Sequence, residues 1–133
     1  HLCVGDLGNK ALGRMQDAQP LVVLANAILH GWPLGRPLEY VHVPLAAGDE
    51  PAPLDEAFYE PLSQLWLPAD VRFIAGFVHE ASSVDEHRRL LGVIEGQLGR
   101  RVDVAAACGL GRRTPETAGI TIDRAIELVR DPV

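Results

Sequence analysis

Apolar residues along the chain fall into two alternating kinds of run. Short runs at Leu2–Val4, Leu38–Val43, Val71–Val78 and Val102–Ala107 are bounded by glycine, proline or charged residues, and they read as buried strands. Their starts lie about 30 to 37 residues apart, the length of one strand, one helix and the loops that join them. The intervening segments carry helical spacing. Leu21, Leu24, Ala25 and Ile28 recur behind Pro20, which suits a first helical turn. Phe58, Leu62 and Leu65 mark a shorter helix that Pro61 limits. Ser83-Val-Asp-Glu86 is a capping box, followed by the stripe His87, Leu90, Leu91, Ile94 and Leu98 and a stop at Gly99. Thr114-Pro115-Glu116 starts a last helix with Ala118, Ile122, Ala125, Ile126 and Val129 on one face.

Four consecutive βα units predict an α/β fold with a parallel sheet and right-handed crossovers, the carboxyl-terminal half of a TIM (β/α)8 barrel. A small flavodoxin-like sheet is the alternative, but the first βα turn has no glycine-rich phosphate fingerprint. Residues 1–133 read as half of one TIM-barrel catalytic domain, with no linker inside it. The chain opens at His1 with a strand already under way, so the other half of the barrel is expected upstream, or a second copy in its place. The loop Ala46–Pro53 would lie over the carboxyl ends of the strands as a lid.

The net charge of −6 argues against nucleic acid or an anionic membrane as partner. No run is long enough to span a membrane, and no signal peptide is visible. The expectation is a cytoplasmic protein with reduced thiols. The chain's two cysteines then read as ligands, nucleophiles or small core residues.

Both cysteines, and three of five histidines, fall at the ends of apolar runs: His1 and Cys3, His42, His79 beside Glu80, and Cys108 before Arg112 and Arg113. His30 and His87 fall on helices and read as surface or interface residues. Alternate residues of a strand share a face, so His1 and Cys3 aim at one point. Thiolate and imidazole together suit zinc. His1, Cys3 and Cys108 supply three ligands, with His42 or substrate as the fourth. On that geometry the two sulfurs would lie about 3.5 to 4 Å apart.

His1-Leu2-Cys3, His79 at a strand end before a capped helix, and Cys108-Gly-Leu-Gly-Arg-Arg-Thr-Pro-Glu-Thr117 resemble the carboxyl-terminal catalytic domain of cobalamin-independent methionine synthase. The order and spacing agree along essentially the whole chain. The metal motif is also similar to that of epoxyalkane coenzyme M transferases. The resemblance implies zinc held by the His-x-Cys pair and Cys108. Where those synthases carry a glutamate ligand, this chain has His42. It further implies that a small-molecule thiol, held as its thiolate, attacks the alkyl carbon of a second substrate. His79 would then pass a proton near the leaving group, Arg112 would hold a substrate carboxylate or phosphate, and Asp6 would orient a ligand histidine. Structural alternatives stand beside these roles: a loop hydrogen bond for His79, solvated charge for the arginines, and a turn for Asp6. The competing functions are a metal-free barrel of the uroporphyrinogen decarboxylase kind and a half barrel that binds without turnover.

Overall fold

The computed structural model describes residues 1–130. Its element order is β1 (Asp6–Leu7), β2 (Lys10–Ala11), α1 (Gln19–His30), β3 (Tyr40–Pro44), β4 (Arg72–Val78), α2 (Val84–Leu98), β5 (Asp103–Ala106) and α3 (Pro115–Arg130). Short 3-10 helices span Glu56–Gln64 and Leu110–Arg112. Strands β3, β4 and β5 form a parallel sheet in sequence order, with Val41 opposite Phe73 and Ala75 opposite Val104. The class is therefore α/β with a three-stranded parallel sheet.

The first expected strand does not form as one. Its place beside β3 is marked by a single backbone bond, from the Leu2 N–H to the His42 carbonyl at 3.0 Å. The chain turns away next, because Gly8 and Asn9 both adopt left-handed backbone and close β1 on β2 as an antiparallel hairpin. Successive positive φ angles suit a two-residue hairpin turn. The hairpin and the three-stranded sheet replace the expected set of four parallel strands.

Strand β4 is buried on both faces, as the centre of a parallel sheet must be. Phe73 and Phe77 pack in the core with Leu90 and Ile94 of α2 and with Tyr59 and Leu62 of the first 3-10 helix. Pro61 sits inside that 3-10 helix, which Asp55 caps by accepting the Ala57 N–H. A proline ring and its missing N–H disfavour the α-helical ladder there.

Helix α2 matches its signals closely. Ser83 accepts the Glu86 N–H, Glu86 accepts the Ser83 N–H, and Gly99 ends the helix in left-handed backbone at φ 64°. Ser83→Ala should therefore lower the unfolding free energy by about 1 kcal/mol, read from urea denaturation at pH 7.

Two helix faces differ from expectation. Helix α1 buries Leu21, Val22, Ala25 and Leu29, while Leu24 is exposed. Helix α3 buries Thr121 and Leu128, while Ile122 and Val129 are exposed. In both cases helical spacing locates a stripe, and the approach of the sheet selects which edge of it is covered. Among the described residues no helix is long and apolar enough to cross a membrane.

Candidate functional site

Cys108 follows β5 directly, and Cys3 precedes the hairpin turn-off, so the two thiols belong to segments 105 residues apart in sequence. The fold brings their sulfurs to 3.9 Å. This lies within the spacing that two ligands of one tetrahedral zinc require. Both are free thiols; Cys3 is exposed and Cys108 partly buried. Burial pushes the Cys108 thiol up, and the neighbouring Cys3 adds to the rise.

His42 lies within β3 and is buried. Its ring crosses the sheet so that Nε2 meets the Ala106 carbonyl of β5 at 3.0 Å. This crossing is possible because β4 carries Gly76 beneath it: a Cβ there would stand 2.7 Å from His42 Nε2. A carbonyl can only accept, so Nε2 carries the proton and Nδ1 is the bare nitrogen. Nδ1 is buried without a hydrogen-bond partner. Burial also lowers the His42 pKa, favouring the neutral ring. A histidine anchored by one N–H to a carbonyl, with the other nitrogen free, has the arrangement common among metal-ligating histidines. His1 is exposed, and its ring stacks on that of His42 with centroids 4.4 Å apart.

His1 and Cys108 border one cleft of about 370 Å³, walled by Ala105, Leu110 and Ile122. Among the described residues, no group of three or more His, Cys, Asp or Glu side chains is gathered around one point as a metal shell. The structure thus pairs the sulfurs and pairs the histidine rings, but does not close the expected four-residue set.

The remaining expected site residues take other positions. His79 follows the carboxyl end of β4, is 3% exposed, and has its ring held at Nδ1 by the Ala81 N–H. It does not line the cleft beside Cys108. Burial lowers its pKa against the opposing pull of Glu80. These partners suit a positioning residue better than a proton carrier. Asp6 forms an ion pair with Arg112 and does not orient a histidine. Arg112 is accordingly engaged, tying the loop after β5 to the hairpin. His87, expected near the surface, is fully buried: Nε2 accepts the His79 N–H at 3.0 Å and the ring leans on Phe77. Helix α2 presents it to the end of β4.

Sequence reasoning missed a buried polar cluster centred on Glu80. Its Oε2 accepts Arg113 Nε at 2.8 Å and the Thr121 hydroxyl at 3.2 Å, and lies 3.7 Å from His79 Nδ1. Burial alone would raise the Glu80 carboxyl, but the Arg113 hydrogen bond and nearby charges hold it below the usual carboxylate range. Arg113 also donates to the Gly48 carbonyl, pinning the 46–53 loop from beneath. Nothing local in the sequence marked this cluster: Thr121 also bonds the Thr117 carbonyl one turn back at 2.8 Å, as a threonine in any helix can.

His42, His79 and His87 all have pKa values lowered from 6.5 by burial. Unfolding lets each ring take up a proton once the pH drops below 6.5, while the folded forms stay neutral to lower pH. Stability should therefore be fully present above that value and fall as pH decreases through it. Thermal melts at pH 7.5, 6.5 and 5.5 should show Tm declining stepwise, and a rising Tm on acidification would contradict the burial of these rings.

Comparison with family models, curated proteins and solved structures finds no match for the chain. The class defined by fold and site is an α/β protein with a parallel sheet and a paired thiol site after its last strand.

Proposed function

We propose that the chain is part of a zinc-dependent thiol alkyltransferase, related in chemistry to cobalamin-independent methionine synthase. The observation that carries the reading is the 3.9 Å approach of Cys3 and Cys108 from opposite ends of the sequence. The donor set fits zinc in kind: two thiols, a bare buried nitrogen on His42, and a neighbouring exposed imidazole on His1. Cys3, Cys108 and His1 would hold the ion, with His42 or substrate in the fourth position. Bound there, zinc supplies a substrate thiol in its thiolate form near neutral pH.

The chain's own residues shape the rest. The cleft beside His1 and Cys108 is walled mainly by alanine, leucine and isoleucine, so it would take the apolar part of a substrate beside the sulfurs. The Asp6–Arg112 pair holds the loop that carries Cys108, and the Ala106 carbonyl fixes the tautomer of His42. In the larger architecture, these strands form the carboxyl-terminal half of a barrel. Its other half, or a second copy, covers the exposed Ile122 and Val129. The support is the parallel order of β3, β4 and β5 and the half-buried state of every residue in β5.

Elemental analysis of the purified protein tests this. Protein made in zinc-replete medium should carry stoichiometric zinc. Cys3→Ser and Cys108→Ser should each lose most of it, together with any alkylation of a thiol probe, and Arg72→Ala, whose exposed pair with Asp103 lies at the opposite end of the strands, should retain the metal. His42→Ala separates a ligand from a platform for His1: zinc affinity falls in the first case and holds in the second. Wild-type protein without stoichiometric metal ends the zinc reading.

A further inference from the structure

A second cavity lies apart from the cysteine pair, between the segments that flank the hairpin, Val4 and 13–15, and the 46–53 loop. It measures about 330 Å³, within the range of small-molecule pockets. Val4, Met15, Leu45, Phe58, Pro51 and Pro53 give it an apolar wall. Leu45 and Phe58 are 1% and 5% exposed, so its floor belongs to the core. Arg14 and Glu50 also line it, paired at 2.7 Å with side chains 81% and 37% exposed, which puts them at the solvent mouth.

The walls are fixed before any ligand arrives. Gly48 accepts from Asn9 Nδ2 and from Arg113, each at 3.2 Å. Asp49 accepts the Ala11 N–H at 3.0 Å, and Glu50 accepts the Ala47 N–H through its backbone carbonyl. The Tyr59 hydroxyl donates to the Pro53 carbonyl at 2.6 Å. A Cβ on residue 48 would stand 2.5 Å from Asn9 Oδ1, so hairpin and loop meet at contact distance. A pre-ordered wall spares a ligand the entropy of organising it.

We propose that this cavity is a binding site for a small uncharged amphiphile, an alkyl or single-ring body with one hydrogen-bonding polar end. The apolar wall takes the body. The Arg14–Glu50 pair offers a donor and an acceptor to the polar end, and its two charges cancel, so the mouth favours neither an anion nor a cation. The cavity uses none of the expected zinc ligands, and the inference stands whether or not the protein binds zinc.

The test is a titration of the full chain with 1-alkanols from butanol to decanol, followed by backbone amide NMR shifts. Shifts should cluster at Val4, Leu45, Ala46 and Ala47, and Kd should tighten about fourfold per methylene until the cavity is filled. Alkanoates and alkylammonium ions of equal length should bind at least tenfold more weakly. Ala47→Leu, which extends a wall residue inward, should weaken octanol at least tenfold; Met15→Trp should do the same if Ala47→Leu does not fold. Absence of binding, affinity independent of chain length, equal binding of charged analogues, or octanol affinity unchanged in a folded filling variant would each overturn the proposal. Zinc content, measured on the same samples, reports separately on the cysteine pair.

Discussion

Glu80→Ala should lower the unfolding free energy by about 3–5 kcal/mol, the largest effect expected of a single charge removal in this chain. The reason lies in what is left behind. The Arg113 side chain is 1% exposed, and Glu80 is its carboxylate partner at 2.8 Å. Without Glu80 the guanidinium is a buried charge whose remaining hydrogen bond among the described residues is to the Gly48 carbonyl, while the Thr121 hydroxyl falls back on the Thr117 carbonyl. Glu80→Gln keeps an acceptor but not the charge, and should cost roughly half as much. The pH dependence has a definite sign. The Glu80 carboxyl is held below its ordinary value in the folded state, so its contribution is present above the unfolded carboxyl range. It is lost as pH falls through the lower folded value. Urea denaturation of wild type and Glu80→Ala at pH 7 and at pH 3.5 checks both statements: the gap between them should narrow in acid. A wild-type-like Glu80→Ala would mean that Arg113 finds other partners and that the cluster does not hold the 46–53 loop.

Gly76→Ala should destabilise the protein by about 3 kcal/mol, at the upper end of overpacking costs. The added methyl would stand 2.7 Å from His42 Nε2 and 2.9 Å from the Val43 carbonyl oxygen. The second contact is backbone in the adjacent strand and cannot rotate away. The His42 ring would also have to leave the Ala106 carbonyl. Two measurements are expected to move together: the urea midpoint falls, and zinc affinity falls if His42 is a ligand. His42→Ala combined with Gly76→Ala should recover part of the stability loss, because one of the two obstructing groups is gone. A double variant no more stable than Gly76→Ala would assign the whole cost to the Val43 backbone.

Much of the fold was legible because it is encoded locally. The capping box at Ser83, the left-handed stop at Gly99 and the start of α3 at Pro115 depend on residues within one helical turn of each other. The parallel arrangement followed from the spacing of apolar runs, since a strand and its crossover need about 30 residues. The Gly8–Asn9 turn was equally local, and its hairpin signal was in the chain. It went unread because the apolar residues before it suggested a strand that continued the sheet.

The candidate site divides along the same line. That Cys3 and Cys108 sit at the ends of apolar runs is a property of the sequence, as is the spacing that puts His1 and Cys3 on one side of an extended segment. Tertiary structure alone decided that the sulfurs meet, that His42 turns its Nε2 to Ala106, and that His87 is buried against β4. It also decided between two adjacent arginines: Arg112 stays half-exposed and pairs with the buried carboxylate of Asp6, while Arg113 turns into the core to Glu80. The physical reason is range. Caps, turns and periodicity are set by backbone geometry over a few residues. The partner of a buried polar group is set by sheet register and by which helix covers which face, and neither is a function of spacing along one segment.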